Sequence, residues 1–574
     1  MAHRRVKNIV FDEDLHGDYD DYYDDADYWG EGGDYDEDWS YQAQPKAAAK
    51  SKNKAKGSQK HAEKSHEEVV EEVNERVKDA GLLPKERVNQ LVRQSSRSLS
   101  RAEELVKQDV DAMKSKHEEL SEKAPHVPKM CLVVVGHVDS GKSTLMGHLL
   151  VELGHVSSRE MHRFTRDAAA CGKQSFEYAW VLDEGSDERE RGVTIDVCVK
   201  HFATPKGTTV TLLDAPGHKD FVPNMLLGAV QADFAIVLAD VKDFDKGFTR
   251  GGQTKEHIRL LRALGISKII VAINKMDLVD YSQERYDRVH DELETFIEGE
   301  CGFKKGNVFY LPTAGFVGEN LVERKDPRLT AWWHGDTLVT AIDRLAESSS
   351  AEGAAAKASL SAPLRIAVAD VYKSSSGAQI SGRVEQGMFK SGQKVIVLPG
   401  RGDDSSACTI RNVYRNGEAM QMGQNSEGYP GDYIDLATLQ GLDPNMVNRG
   451  SVLCATNSTP CRVSDVIRAK IMVFDTTVPI VKGQKVMLYA HACVESATVS
   501  RFIVLEGKKA PVPGTRPKPI KCLTKGDCCT VELRLEHPIC TDPIDQKGSM
   551  GKATSLSRIV LRDRGETVAA GMIV

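Results

Sequence analysis

Four short runs carry the residues whose types and spacing can do chemistry. Gly136-His137-Val138-Asp139-Ser140-Gly141-Lys142-Ser143, followed by Thr144, matches G-x-x-x-x-G-K-[ST]. Such a loop turns backbone N–H groups inward on phosphate oxygens, and a helix starting there offers them the positive end of its dipole. Lys142 would reach the β- and γ-phosphates, and the Ser143 hydroxyl would ligate Mg²⁺. In the run LLDAPGHKDF (212–221), Asp214 ends an apolar stretch where it can hold Mg²⁺ through water. Gly217 can offer its N–H to the γ-phosphate with no side chain in the way. Thr194, in RGVTID, can bring a hydroxyl to the same metal from a loop. His218 follows Gly217 directly, and its type alone leaves open a catalyst, a ligand or a helix cap. Asn274-Lys275-Met276-Asp277 supplies the base contact. The Asp277 carboxylate can accept from the adjacent N1–H and 2-amino donors of guanine. Adenine has no such pair, and matching of this kind discriminates by roughly 10⁴-fold. The expected ligands are therefore GTP and GDP with Mg²⁺.

The elements that must position these residues follow from periodicity. Strand-like runs (CLVVV, TVTLLD, DFAIVLAD, KIIVAINK, NVFYLPT) alternate with helical stretches (KSTLMGHLLVEL, QTKEHIRLLRALG, RVHDELETFIEG). That alternation predicts a largely parallel α/β domain over 128–346, with the phosphate loop between its first strand and first helix. The small-residue stretch 347–363 reads as a linker. Beyond it, short β-rich segments separated by Gly, Pro and Asn predict two barrels or sandwiches, at 363–457 and 460–574.

In front of the α/β domain the chain changes character twice. Residues 11–40 hold many Asp and Glu and no Lys or Arg, whereas 46–60 carry only basic charge. Residues 1–65 are thus expected to be a disordered acidic then basic tail, with Trp29 and Trp39 as possible anchors. Over 66–122 the pattern is helical: Val69, Val73 and Val77 recur at i, i+4 and i+8, Gly81 suits a helix end and Pro84 a helix start. Ser100 with Glu103 reads as a capping box. The whole has 574 residues and a net charge of −7, too long for a single core and with charge segregated along the chain. Its twelve cysteines form no C-x-x-C pair, which suits a reducing compartment better than a disulfide framework or a structural zinc. With no apolar signal region and no 18-residue apolar stretch, a cytoplasmic protein without a membrane partner is expected.

GHVDSGKST, RGVTID, DAPGHKDF and NKMD together resemble the translational GTPases of the elongation factor Tu and elongation factor 1-alpha class. SAPLRIAVADVYK and LRDRGETVAAGMI resemble that class's second and third domains, which are β-barrels. The resemblance covers 130–574 and implies a P-loop GTPase domain followed by two β-barrels. SFEYAWVLDEGSDERERGVTIDV and FDKGFTRGGQTKEH are most similar to the Hbs-type ribosome-rescue GTPases that work with Pelota, and so is the tail-plus-helices arrangement in front.

The resemblance implies that His218 orients the attacking water. It implies that Val138 and Val193 form an apolar gate keeping His218 back until a ribosome rearranges the loops, and that Thr194 closes over Mg²⁺ with GTP and releases afterwards. Hydrolysis of GTP to GDP and phosphate should be slow alone and faster at the GTPase-activating centre of the large subunit. The partners implied are the ribosome, its small subunit included, and a tRNA-mimicking Pelota-type protein. The chain would be monomeric by itself and serve rescue and subunit dissociation in no-go and non-stop decay. Alternatives are a class-II release factor, an aminoacyl-tRNA carrier, and a nucleotide-gated adaptor that does not hydrolyse. Arg191–Thr194 keep the R-G-[VI]-T pattern from which release factors depart. Elongation factor 1-alpha is basic and starts almost at its GTPase domain. One departure concerns the guanine loop, Thr313-Ala314-Gly315-Phe316, where the family often has Ser-Gly-aromatic or Ser-Ala-Lys. The Gly315 N–H can still meet the base oxygen, but Ala314 lacks the hydroxyl that braces the loop. Unless Thr313 substitutes, that departure can weaken guanine-nucleotide affinity, but it does not imply loss of binding.

Overall fold

The computed structural model describes residues 129–574 apart from 173, 184–187, 190–193, 249–252, 351–359, 361, 375–376, 401–406, 417, 421–426, 457–459, 475–477, 506–519 and 543–553. Before them it describes 69, 73, 76–77, 85–95 and 98–123. The tail at 1–65, much of the linker, Gly81, Pro84, Arg191 and the gate residue Val193 lie outside the described residues.

The helical region has a core of its own. Helices α1 (Lys85–Gln94) and α2 (Leu99–Lys123) bury Val88, Leu91, Val92, Ala102, Val106 and Val110 together with Val69 and Val73. Those residues stand three and four apart, so each helix turns one stripe inward. Helix α2 starts one residue before the expected cap. The Ala102 N–H bonds the Ser98 carbonyl at 2.9 Å, which puts Ser100 inside the first turn.

Six strands make the central sheet: β1 (Lys129–Gly136), β2 (Cys198–Ala203), β3 (Thr209–Asp214), β4 (Phe234–Asp240), β5 (Ile269–Asn274) and β6 (Val308–Pro312), in the order β2-β3-β1-β4-β5-β6. All neighbours are parallel except the β2 edge. Both faces are covered, which is why β1 is apolar throughout instead of alternating. Met130, Leu132 and Val134 pack with α3 (Lys142–Glu152), whereas Cys131, Val133 and Val135 pack with α4 (Val222–Gln231) and α5 (Gln253–Ala263). The phosphate loop, Asp214 and Asn274 all fall at carboxyl ends of parallel strands, where such sheets bind ligands.

Among the described residues, six strands between Arg365 and Ala455 close into a ring where Lys394–Leu398 pairs with Ala407–Arg415, with the short strand Glu418–Ala419 appended outside it, and six between Arg462 and Ile573 form a second closed barrel. Closure removes the sheet edges and decides for barrels over sandwiches. Phe474, Tyr489, Val560 and Ala570 of the second barrel join the core formed by α4 and the sheet. No helix among the described residues is long and apolar enough to cross a membrane.

Candidate functional site

The phosphate loop leaves β1 at Gly136 and enters α3 through Gly141, whose φ of 89° is left-handed. A side chain there would also sit 2.7 Å from Asn274 Nδ2, so glycine is required twice over. The Lys142 ammonium donates to the carbonyls of Gly136 (3.1 Å) and His137 (3.0 Å), and burial lowers its pKa to about 8. Gly217 lies directly over it: a Cβ at Gly217 would come within 2.2 Å of Lys142 Nζ. His137 points its ring to Gln253 of α5 (Nδ1 to Oε1, 3.0 Å).

The three residues expected at the metal come together. Ser143 Oγ donates to Asp214 Oδ2 at 2.7 Å and lies 3.1 Å from Thr194 Oγ1. A fourth residue joins them: Thr194 Oγ1 donates to Asp183 Oδ1 at 3.2 Å. Asp183 is buried, and Arg189 holds its carbonyl through Nε at 2.7 Å. Burial pushes the Asp214 carboxyl up to about 6. Burial, and then the charges of Asp214 and Glu188, push Asp183 up to about 7. Asp214 Oδ1 is buried with no hydrogen-bond partner among the described residues. Two buried carboxylates, two converging hydroxyls and one unsatisfied oxygen are a hard-cation donor set, so the residues fit Mg²⁺.

His218 lines the same cleft as Val138, Lys142, Thr194 and Gly217, with its side chain 37% exposed. Its Nδ1 accepts from the Asp220 N–H at 3.3 Å, so in this conformation the imidazole caps the short turn Lys219–Phe221.

The guanine-loop residues gather beside Gly141. Asn274 Nδ2 donates to the Ser140 carbonyl (2.9 Å), and its Oδ1 accepts from the Gly315 N–H (2.9 Å) and the Thr313 hydroxyl (3.2 Å). Thr313 thus supplies a brace in place of the hydroxyl missing at buried Ala314. Lys275 spans to Asp240 (2.7 Å) and to the Asp139 carbonyl (2.5 Å). Asp277 is half-buried, with its pKa raised by that burial. Phe316 stands edge-on to Tyr178 at 6.4 Å. Tyr178 stacks on His148 at 4.0 Å, and His148 Nδ1 meets the Gly315 carbonyl at 2.8 Å. Sequence reasoning missed Asp183, Arg189 and His148. Asp183 sits in an acidic run where nothing in the spacing singles it out.

Residues 128–348 match the elongation factor Tu GTP binding domain, and residues 466–574 match the GTP-eEF1A C-terminal domain-like family. Elongation factor 1-alpha of Methanosarcina acetivorans is 36% identical over 78% of this chain and 97% of that protein. The chain belongs to the elongation factor 1-alpha class of translational GTPases. This GTPase is also 39% identical to Protein HBS1 of Drosophila melanogaster over 79% of its own length, and is Hbs-like in sequence. It spans 64% of that relative. In fold, the translational GTPase matches the S. cerevisiae Ski7 GTPase-like domain bound to GTP, with a TM-score of 0.65 at 19% identity, over 79% of this chain and 98% of that one.

Proposed function

We propose that this chain is a ribosome-activated GTP hydrolase of the Hbs type. It would deliver a tRNA-shaped, Pelota-type partner to stalled ribosomes in the cytoplasm, for subunit dissociation in no-go and non-stop decay. The observation that carries the reading is the convergence of Lys142, Ser143, Thr194, Asp214 and Gly217 on one cleft that His218 also lines. The phosphate-loop N–H groups and Lys142 cradle the β- and γ-phosphates, and Asp277 with the Gly315 N–H reads guanine. Ser143, Thr194 and, through water, Asp214 would hold Mg²⁺, which when bound neutralises charge developing on the phosphate oxygens. His218 leaves its cap on Asp220, passes Val138 and orients a water in line with the γ-phosphate. Release of the γ-phosphate frees Thr194 and Gly217, and the partner is let go.

Support for the Hbs type over its sisters comes from the 39% identity to Protein HBS1. The test is a capture experiment with GTP or GDP, offering a Pelota-type protein, a class-I release factor and aminoacyl-tRNA. GTP-dependent capture of the Pelota-type protein is expected; capture of either competitor alone would overturn the reading. His218 favours turnover over the non-hydrolysing adaptor, which predicts no ribosome-stimulated phosphate release.

A further inference from the structure

The helix that follows His218 is held at its far end by both barrels. Helix α4 begins one short turn after His218 and ends at Gln231. The last carbonyls of a helix lack intrahelical partners and carry partial negative charge, so a cation fits there. Arg558, at the start of the strand Arg558–Asp563 in the C-terminal barrel, donates Nη1 to the carbonyls of Val230 (3.0 Å) and Ala232 (2.8 Å). Arg383, in the strand Gly377–Gln386 of the first barrel, donates to the Gln231 carbonyl and pairs with Asp233 Oδ2 at 2.5 Å. The barrels also grip each other here, for Glu385 accepts from the Ser555 N–H (3.2 Å) and hydroxyl (2.8 Å). Both arginines are buried, and burying a guanidinium is costly unless acceptors are placed for it. Near the other end of α4, Asn224 Nδ2 donates to the Ile195 carbonyl (2.9 Å) and to Asp196 Oδ1 (3.0 Å), next to Thr194.

We propose that Arg383 and Arg558 are positioning residues for GTP hydrolysis. Through them the barrels set where α4 lies, and α4 sets where His218 and Thr194 stand over the cleft. The helix is about 15 Å long and moves as a rod, so a displacement at its C-terminus is felt at its start. A misplacement of about 1 Å costs on the order of 10²-fold in rate. A partner or ribosomal surface that shifts the barrels would thereby govern hydrolysis without touching the nucleotide. The proposal rests on the reading of His218 as the group that orients water.

The test uses the full chain with purified ribosomes, single-turnover GTP hydrolysis and fluorescent-GTP binding. Arg383→Lys and Arg558→Lys keep the charge but lose the forked donor geometry. Each is expected to slow stimulated hydrolysis on the order of tenfold, with GTP affinity within about twofold. In a His218→Ala background neither should slow it further, because a residue acting through His218 has nothing left to act on. Wild-type rates in both lysine variants, or the same proportional loss with and without His218, would overturn the proposal. Wild-type hydrolysis by His218→Ala alone would instead remove the reading beneath it. Where a lysine variant melts early, Ser555→Ala loosens the barrel-to-barrel grip without altering either arginine. It is expected to slow hydrolysis about threefold, and an unchanged rate there also overturns the proposal.

Discussion

Two buried, charge-rich regions lie at the two ends of α4, and they differ in what their carboxylates meet; the Nε of each junction arginine, like one oxygen in the cleft, has no hydrogen-bond partner among the described residues. At the three-domain junction, Asp233 is matched by Arg383, and the carbonyls of Val230, Gln231 and Ala232 are matched by the two arginines. In the cleft, Asp214 accepts from the Ser143 hydroxyl and Asp183 from the Thr194 hydroxyl, and Asp214 Oδ1 has no partner among the described residues. The ingredients are alike: buried carboxylates, buried cations and a helix terminus. Where the fold pairs them they hold domains together. Where a carboxylate meets only a hydroxyl, as at Asp214, one oxygen stays without a partner beside the cleft that the phosphate loop lines.

The contrast can be broken most sharply at His218. His218→Ala should lower ribosome-stimulated phosphate release by about 10³-fold or more while leaving GTP binding within about twofold. A stimulated rate near wild type would show that the cleft lacks the role assigned to it.

Next come the carboxylates. Removing Asp233 strands a buried guanidinium, so Asp233→Ala should cost about 3–5 kcal/mol in urea unfolding. Asp214→Asn should act with the opposite sign. Its folded pKa of about 6 lies above the ordinary aspartate value of 3.8. That contribution to stability is full below the unfolded pKa and is lost as pH rises through the folded one. At pH 7.5 the charged form costs the nucleotide-free fold, so the amide should raise its stability by about 1–2 kcal/mol while weakening Mg²⁺-dependent nucleotide binding. Equal destabilisation by both substitutions would erase the distinction between junction and cleft.

Two histidines sharpen it further. Burial lowers His257, behind the phosphate loop, to about 3 and His491, in the second barrel, to about 4, against an ordinary value of 6.5. Both are neutral in the fold and charge on unfolding, so their stabilisation is full above the unfolded pKa and declines as pH falls towards the folded values. Between pH 6.5 and 5 each should remove about 2 kcal/mol. His491→Leu and His257→Leu should each flatten the pH dependence of urea midpoints. A wild-type slope in either variant would show that the histidine is not buried neutral.

The smallest effect belongs to the guanine loop. Thr313→Val removes one hydrogen bond to Asn274 Oδ1, worth about 1 kcal/mol. GDP affinity measured by fluorescent-nucleotide displacement should fall about fivefold, and an unchanged affinity would show that Ala314 needs no substitute.

Much of the site is legible along the chain because its pieces are short in sequence. A phosphate loop must join one strand to one helix within a few residues, so Gly136–Ser143 states its own geometry. Asn274–Asp277 and Asp214–His218 are likewise written at the ends of apolar strands. The sheet follows from runs long enough to be buried on both faces. Ser100 illustrates a limit of local signals, since the helix starts at Leu99, two residues earlier than a cap at Ser100 would have it.

The sequence by itself therefore determined the α/β domain and its phosphate loop, because backbone conformation and side-chain type within a few residues are enough to specify each. Only the tertiary structure decided that Asp183 joins Ser143 and Asp214, that Thr313 braces the guanine loop, and that Arg383 and Arg558 meet at the end of one helix. Arg558 lies 328 residues from Val230 and Arg383 lies 150 from Asp233. Bringing such residues into contact depends on how separately folded domains dock, and no pattern along the chain states that docking.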